Sequence, residues 1–135
     1  VQVLKGKLDI EEKLRKKLPP FHRIYPIYRD IRVIVDNEIS KDYSVIEVRA
    51  PDFPGLLYIL TSTLSKNNLN IYVAKIYTEV DLASDTFYIK DMNGEKLTDE
   101  KMKEIASTLQ EKVKRGVYEV MGVRIDETGK GYKSG

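Results

Sequence analysis

Over residues 45–74 the chain changes its hydrophobic period twice, from strand to helix and back to strand, around the tetrapeptide Asp52-Phe53-Pro54-Gly55. The run Val45-Ile46-Glu47-Val48-Arg49-Ala50 alternates as a strand does, and Leu56-Leu57-Tyr58-Ile59-Leu60 opens a helical pattern. Each residue of the tetrapeptide has a role in such a turn. The Asp52 carboxylate is expected to accept hydrogen bonds from the free amides of the first helical turn, and Pro54 supplies a helical φ where no donor is needed. Gly55 lacks a side chain, so another backbone or a ligand can approach it closely. A helix start beside a strand end is also a place for a carboxylate, because its unpaired amides and the helix dipole both favour an anion.

The flanking segments complete a sandwich. Ile31, Val33 and Val35 alternate with Arg32, Ile34 and Asp36, and turn residues at 37–42 lead into the strand in which Ile46, Val48 and Ala50 form one face and Val45, Glu47 and Arg49 the other. That predicts a β-hairpin with the first set toward the helices. The helix after the turn buries Leu56, Leu57, Leu60 and Leu64 and ends at Asn67-Asn68, since Asn tolerates the left-handed backbone of a helix end. Residues 69–78 and 85–91 form a second hairpin across a polar turn at 80–84. After the Asn93-Gly94 turn, Thr98 caps a helix with Asp99 and Glu100 at its start and Lys112, Lys114 and Arg115 at its end. Leu97 staples onto Met102, and Met102, Ile105, Ala106, Leu109 and Val113 form the buried stripe. Gly116 is expected to end this helix and residues 117–125 to make one further strand.

The expected fold is α+β: a ferredoxin-like βαββαβ sandwich, two helices on one face of an antiparallel sheet, with an extra N-terminal strand. The leading strand from Ile31 and the trailing one from Val117 compete for the same sheet edge. The leading hairpin is expected to win because it closes with little loop entropy, leaving the trailing strand another edge or another molecule. The sheet face away from the helices carries Val45, Tyr72 or Val73, and Tyr88 or Phe87, according to register, and an open face of that kind meets a partner. The domain spans residues 31–125. Before it lies an extension at 1–30, in which Asp9 caps a short helix that stops at Pro19-Pro20 and a linker follows; after it comes a flexible Gly, Ser and Lys tail at 126–135.

With 23 Lys and Arg against 21 Asp and Glu, the net charge of +2 gives no argument for nucleic acid or an anionic membrane, and no apolar run approaches spanning length. The chain has no cysteine and one histidine, His22, which excludes disulfides, thiolate metal sites and a His-rich metal centre. No metal, cofactor, nucleic-acid or membrane partner is expected, and a cytoplasmic location is. The sequence starts at Val1 without a methionine and reads as a piece of a longer protein.

The run from Tyr43 through Asp52-Phe53-Pro54-Gly55 to Tyr58, with Leu69-Asn70-Ile71, Ala74-Lys75-Ile76, Asp85-Thr86-Phe87-Tyr88-Ile89 and Gly94-Glu95-Lys96-Leu97, resembles an ACT domain. Over residues 32–115 it is similar to the C-terminal ACT domains of bifunctional enzymes that attach and remove uridylyl groups on the PII nitrogen-signalling protein. The segment Val3-Leu4-Lys5-Gly6-Lys7-Leu8-Asp9-Ile10-Glu11 resembles the end of a preceding ACT domain. ACT domains are regulatory modules that bind amino acids. The resemblance implies glutamine as the ligand, another ACT domain or a homodimer as partner, and catalytic domains elsewhere in the parent chain. It also implies a ligand site where the turn and first helix meet the start of the next strand: Asp52, Phe53, Pro54, Gly55, Leu56 and Leu57, with Asn70, Ile71 and Tyr72 facing them. Two positions depart from the family. Phe53 stands where Arg is common, which implies either an altered ligand affinity or a packing role, and Asn68 stands where Gly is common.

No catalytic residues are expected, because metal-assisted nucleotidyl transfer needs metal-binding carboxylates and the hydrolytic reaction a His-Asp cluster. Two other classes remain. One is an ACT domain that serves only as an assembly interface. The other is a small ferredoxin-like enzyme, which would need paired acids, with Glu47, Glu79 and Asp85 the nearest candidates.

Overall fold

The computed structural model describes residues 31–125 and 131–133. Strands β1 (Arg32–Asp36) and β2 (Ser44–Pro51) form the expected hairpin, with Val33 opposite Val48 and Val35 opposite Ile46. Helix α1 (Leu56–Lys66), strands β3 (Leu69–Glu79) and β4 (Leu82–Asp91) and helix α2 (Asp99–Met121) follow. The four strands make one antiparallel sheet in the order β1-β2-β4-β3. This is the ferredoxin-like arrangement of an α+β protein, with β1 on the edge that the last strand of the βαββαβ pattern would take.

The core lies between this sheet and the two helices. Ile46, Val48 and Ala50 from β2, Phe87 and Ile89 from β4, Leu60 and Leu64 from α1, and Ile105, Leu109, Val113 and Val117 from α2 are all buried there. The alternation predicted for β1 and β2 therefore holds. β3 breaks its own alternation: Ile71 pairs with Ile89 and Val73 with Tyr88, so Tyr72 is an extra, bulged residue. The bulge shifts the phase, so that Ile71 faces the core before it and Ala74 and Ile76 do so after it. Tyr72 and Val73 consequently both face outward, at 49% and 42% exposure, and on β4 it is Tyr88 that shares the open face while Phe87 is buried.

α1 ends as expected, with Asn68 in the left-handed region at φ 60. At the start of α2 the Thr98 hydroxyl accepts from the Lys101 amide at 3.1 Å, and Leu97 and Met102 are buried beside it. Its end differs from expectation, because α2 runs through Gly116 to Met121. A Cβ at Gly116 would lie 2.9 Å from the Phe53 ring and 2.6 Å from Ile59 Cδ1, so this glycine marks where the two helices approach, not where one stops. Val117 continues the buried stripe one turn past Val113, and Gly122, at φ 71 with its amide donating to the Tyr118 carbonyl at 2.9 Å, is the cap. The strand expected over 117–125 shrinks to β5 (Val123–Ile125), which pairs with β6 (Gly131–Lys133) in a separate two-stranded sheet. β6 falls within the span read as a flexible tail. The readings made for residues 1–30 and for the rest of that tail lie outside the described residues.

A polar knot fastens the β1–β2 turn to the entry of α2. The buried Ser44 hydroxyl donates to Asn37 Oδ1 at 2.6 Å and accepts from the Leu97 amide at 2.9 Å, while Asn37 Nδ2 donates to the Leu97 carbonyl at 2.8 Å. Asn37→Ala would leave the Ser44 hydroxyl and the Leu97 carbonyl short of partners. It is expected to lower stability by about 1–3 kcal/mol in urea unfolding, with the slope of the transition unchanged.

Candidate ligand site at the β2–α1 turn

The entry to α1 is a hydrogen-bonded turn. The Leu56 amide donates to the Phe53 carbonyl at 3.1 Å, and Gly55 at φ 96, ψ −4 has the backbone of the third residue of a type II turn, which Pro54 precedes and a side chain would strain. Gly55 is itself the N-cap, and no side chain caps the helix. The capping role expected of Asp52 is thus not realised, because Asp52 stands three residues before the cap. Its backbone amide donates instead to the Asp81 carbonyl at 2.9 Å, tying the turn to the tip of the β3–β4 hairpin. Without a side-chain cap or an acidic residue in its first turn, α1 keeps a positive end.

The predicted site residues divide into wall and surface. Phe53 is 2% exposed and Leu56 3%, and Pro54 is also buried, so these three form the wall of the turn. Phe53 packs against α2 at Gly116, so its position has a packing role. Asp52, Gly55 and Leu57 are half-buried and accessible at the turn. Asn70 and Tyr72 are exposed and Ile71 half-buried at the start of β3. Within one chain the two groups do not face each other. Pro51 pairs with Leu82 at one end of the sheet, whereas Ile71 pairs with Ile89 seven positions along β4, roughly 23 Å away at strand rise.

A further acid lies on the core face of β4, opposite Val48. Asp85 is in phase with Ala83, Phe87 and Ile89 on the core face of β4, is 2% exposed, and its Oδ1 has no hydrogen-bond partner among the described residues. Burial pushes its carboxyl up to about 6; a hydrogen bond from the Tyr77 backbone opposes this shift and the charge of Asp52 adds to it. Asp52 is raised too, first by burial and then by Asp81. The sequence signal was an acid in the apolar half of an alternating strand.

The three acids considered for an enzyme do not converge. Glu47 lies on the open face, where Arg49 Nε at 3.0 Å and the Ser84 hydroxyl at 2.9 Å hold its carboxyl below the usual range, with the Arg49 hydrogen bond the larger cause. Asp85 is on the other face and Glu79 is exposed at the end of β3. Among the described residues no group of three or more His, Asp or Glu side chains could hold a metal, and no helix is long and apolar enough to cross a membrane.

The open face carries a tyrosine cluster. The Tyr43 ring lies 5.3 Å from Tyr72 and 6.1 Å from Tyr88; Lys90 Nζ sits over Tyr43 at 4.9 Å and Tyr72 at 5.3 Å, and Lys75 Nζ over Tyr88 at 5.1 Å.

A ferredoxin-like sheet open on one face, with its first helix entered through an Asp-x-Pro-Gly turn, defines the class of ACT-type domains. The chain belongs to the ACT-like family, matching over residues 32–130 the profile described as "ACR9-like, ACT-like domain". It is 35% identical over 120 residues to the bifunctional uridylyltransferase/uridylyl-removing enzyme of Nitrobacter hamburgensis, an alignment covering 89% of this chain and 12% of that protein. To the enzyme of the same name from Azospirillum brasilense it is 41% identical over 100 residues, covering 73% of this chain and 11% of the relative. To that of Bradyrhizobium diazoefficiens it is 36% identical over 119 residues, covering 88% and 12%. The chain therefore spans about an eighth of the length of these curated relatives. No solved structure matches it.

Proposed function

We propose that this is a regulatory amino-acid-binding domain, with glutamine as its ligand, and that it controls a cytoplasmic uridylyltransferase/uridylyl-removing enzyme acting on the PII protein in nitrogen signalling. The observation that carries the reading is the uncapped, positive start of α1 beside the half-buried Asp52 carboxylate. The helix end suits an α-carboxylate and Asp52 suits an ammonium group, so the turn has complementary charges for one amino acid. The relatives' names support the enzymatic setting, with the catalytic groups in other parts of the parent chain. Glutamine acts by favouring one arrangement of paired ACT domains, which moves the balance from uridylylation toward removal.

Pairing also accounts for the separation of the two halves of the predicted site. β3 is an edge strand of 11 residues with one side of its ladder open. Antiparallel pairing of two β3 edges about their middles would bring Asn70, Ile71 and Tyr72 of one copy toward the end of β3 of the other, where the Asp52 turn lies. Sedimentation equilibrium at several concentrations, with and without glutamine, tests this. Glutamine is expected to raise the average mass toward that of a dimer. A second reading, a purely structural interface, is favoured by the exposure of Tyr72, Val73 and Tyr77 on the open face. Mass that rises with concentration but ignores every amino acid is the result that reading predicts.

A further inference from the structure

We propose that the open face of the sheet along β3 and β4 is a docking surface for an extended acidic segment of a partner protein, read by Lys75 and Lys90 across a tyrosine floor. This surface is separate from the β2–α1 turn, and the inference stands whether or not an amino acid binds there. The ladder places the two lysines. Lys90 is opposite Asn70, Tyr88 opposite Val73 and Thr86 opposite Lys75, so both lysines project on the open face with the Tyr88 rung between them. Among the described residues neither lysine has a carboxylate partner; the ion pairs there are Arg49 with Glu47 and Lys101 with Glu104. Each ammonium lies instead against tyrosine. Lys90 Nζ is 4.9 Å from the centre of the Tyr43 ring and 5.3 Å from that of Tyr72, and Lys75 Nζ is 5.1 Å from the centre of Tyr88 and donates to its hydroxyl at 3.4 Å. A lysine laid on a ring keeps its charge at the surface and has already given up part of its side-chain freedom, so less is lost when it meets an anion.

The chemistry of the patch selects its occupant. Tyr72 and Val73 are exposed beside the two charges, so the patch is apolar as well as cationic. The acid on the adjoining rung, Glu47, lies on β2 beyond Thr86 and is held by Arg49 and Ser84. A second copy of the same face would set lysine toward lysine, which is repulsive. Single-stranded nucleic acid needs open ring faces on which to stack its bases, and here ammonium groups lie over them. An acidic polypeptide fits: its carboxylates meet the ammonium groups and leave the rings and Val73 to an apolar side chain. Strand geometry sets the spacing. Lys90 and the rung of Lys75 are four residues apart along β4, about 13 Å at strand rise, and side chains four positions apart on one face of an extended peptide are separated by the same distance. The recognised pattern is therefore an acid, an apolar residue two positions on, and a second acid two positions further.

Heteronuclear NMR titration of the 135-residue chain tests this with a synthetic peptide of serines that carries two glutamates four positions apart and a leucine midway between them. Expected are saturable shifts of the amides around Tyr72, Val73 and Tyr88 that weaken as salt is raised, and an affinity about tenfold lower when Lys75→Gln and Lys90→Gln are combined. Lys75→Arg with Lys90→Arg, which keeps both charges, is expected to retain binding. The same peptide with glutamines in place of its glutamates is expected to leave the spectrum unmoved. Absence of shifts with the acidic peptide, equal affinity for the glutamine peptide, or equal affinity in the Lys75→Gln, Lys90→Gln variant overturns the proposal. Tighter binding of a single-stranded oligothymidylate at the same amides overturns it as well, in favour of nucleic acid.

Discussion

Replacing Phe53 by Ala is expected to lower the unfolding free energy by about 3–5 kcal/mol, the largest effect of any single truncation in the β2–α1 turn. The ring is 2% exposed and lies over Gly116 of α2, so its loss opens a cavity beside the contact between the two helices. The neighbour supplies an internal control. Gly116→Ala would set a methyl group 2.9 Å from the Phe53 ring and 2.6 Å from Ile59, an overpacking cost of about 1–3 kcal/mol that better helix propensity offsets by about 1. In the Phe53→Ala background the clash with the ring is gone, that with Ile59 Cδ1 has room to relax and the propensity gain remains, so the same substitution costs less than in the wild type. A double-mutant cycle in urea should therefore show coupling, and strictly additive effects would contradict the packing described for Phe53.

The second large effect is a pH dependence that runs opposite to that of most carboxylates. Asp85 titrates at about 6 in the folded protein, against about 3.9 unfolded. Between these values the folded state holds a proton that the unfolded state has lost, so stability falls as pH rises from about 4 to about 6 and stays low above. Two pH units correspond to about 3 kcal/mol, order of magnitude. Asp52, also raised, acts in the same direction, and Glu47, lowered, acts against it. The clean comparison is thus wild type against Asp85→Asn across the range. The variant is expected to be more stable at pH 7 by about 2–3 kcal/mol and to lose most of that advantage by pH 4. An equal difference at both pH values would show that Asp85 does not titrate in this window.

Features legible in the sequence were those decided locally. The alternation of β1 and β2, the Thr98 cap, the Leu97–Met102 staple and the left-handed Asn68 all depend on near neighbours in the chain, and the structure has each of them. Gly116 shows how a contact between distant segments overrides such signals. A glycine after a basic helical turn reads as a stop, yet here the missing Cβ makes room for Phe53 and Ile59, and the buried Val117 carries α2 onward. The Tyr72 bulge exists only in the pairing of β3 with β4, so the sequence left Tyr72 and Val73 as alternatives when both face outward. The site was legible in its turn and not in its geometry. α1, 11 residues long, carries the chain about 16 Å back along the sheet, so the start of β3 lies at the far end from Asp52. Residues adjacent in the order of elements are for that reason apart in one copy. Asp85 was legible in principle, since it falls in phase with Ala83, Phe87 and Ile89.

Calorimetric titration of the purified chain with glutamine, with glutamate and other amino acids as controls, tests the sensor assignment most directly. Saturable binding selective for glutamine, weakened by Asp52→Ala, is the predicted result. Absence of heat with every amino acid, at protein concentrations where sedimentation shows paired chains, would contradict it and leave the domain an assembly interface.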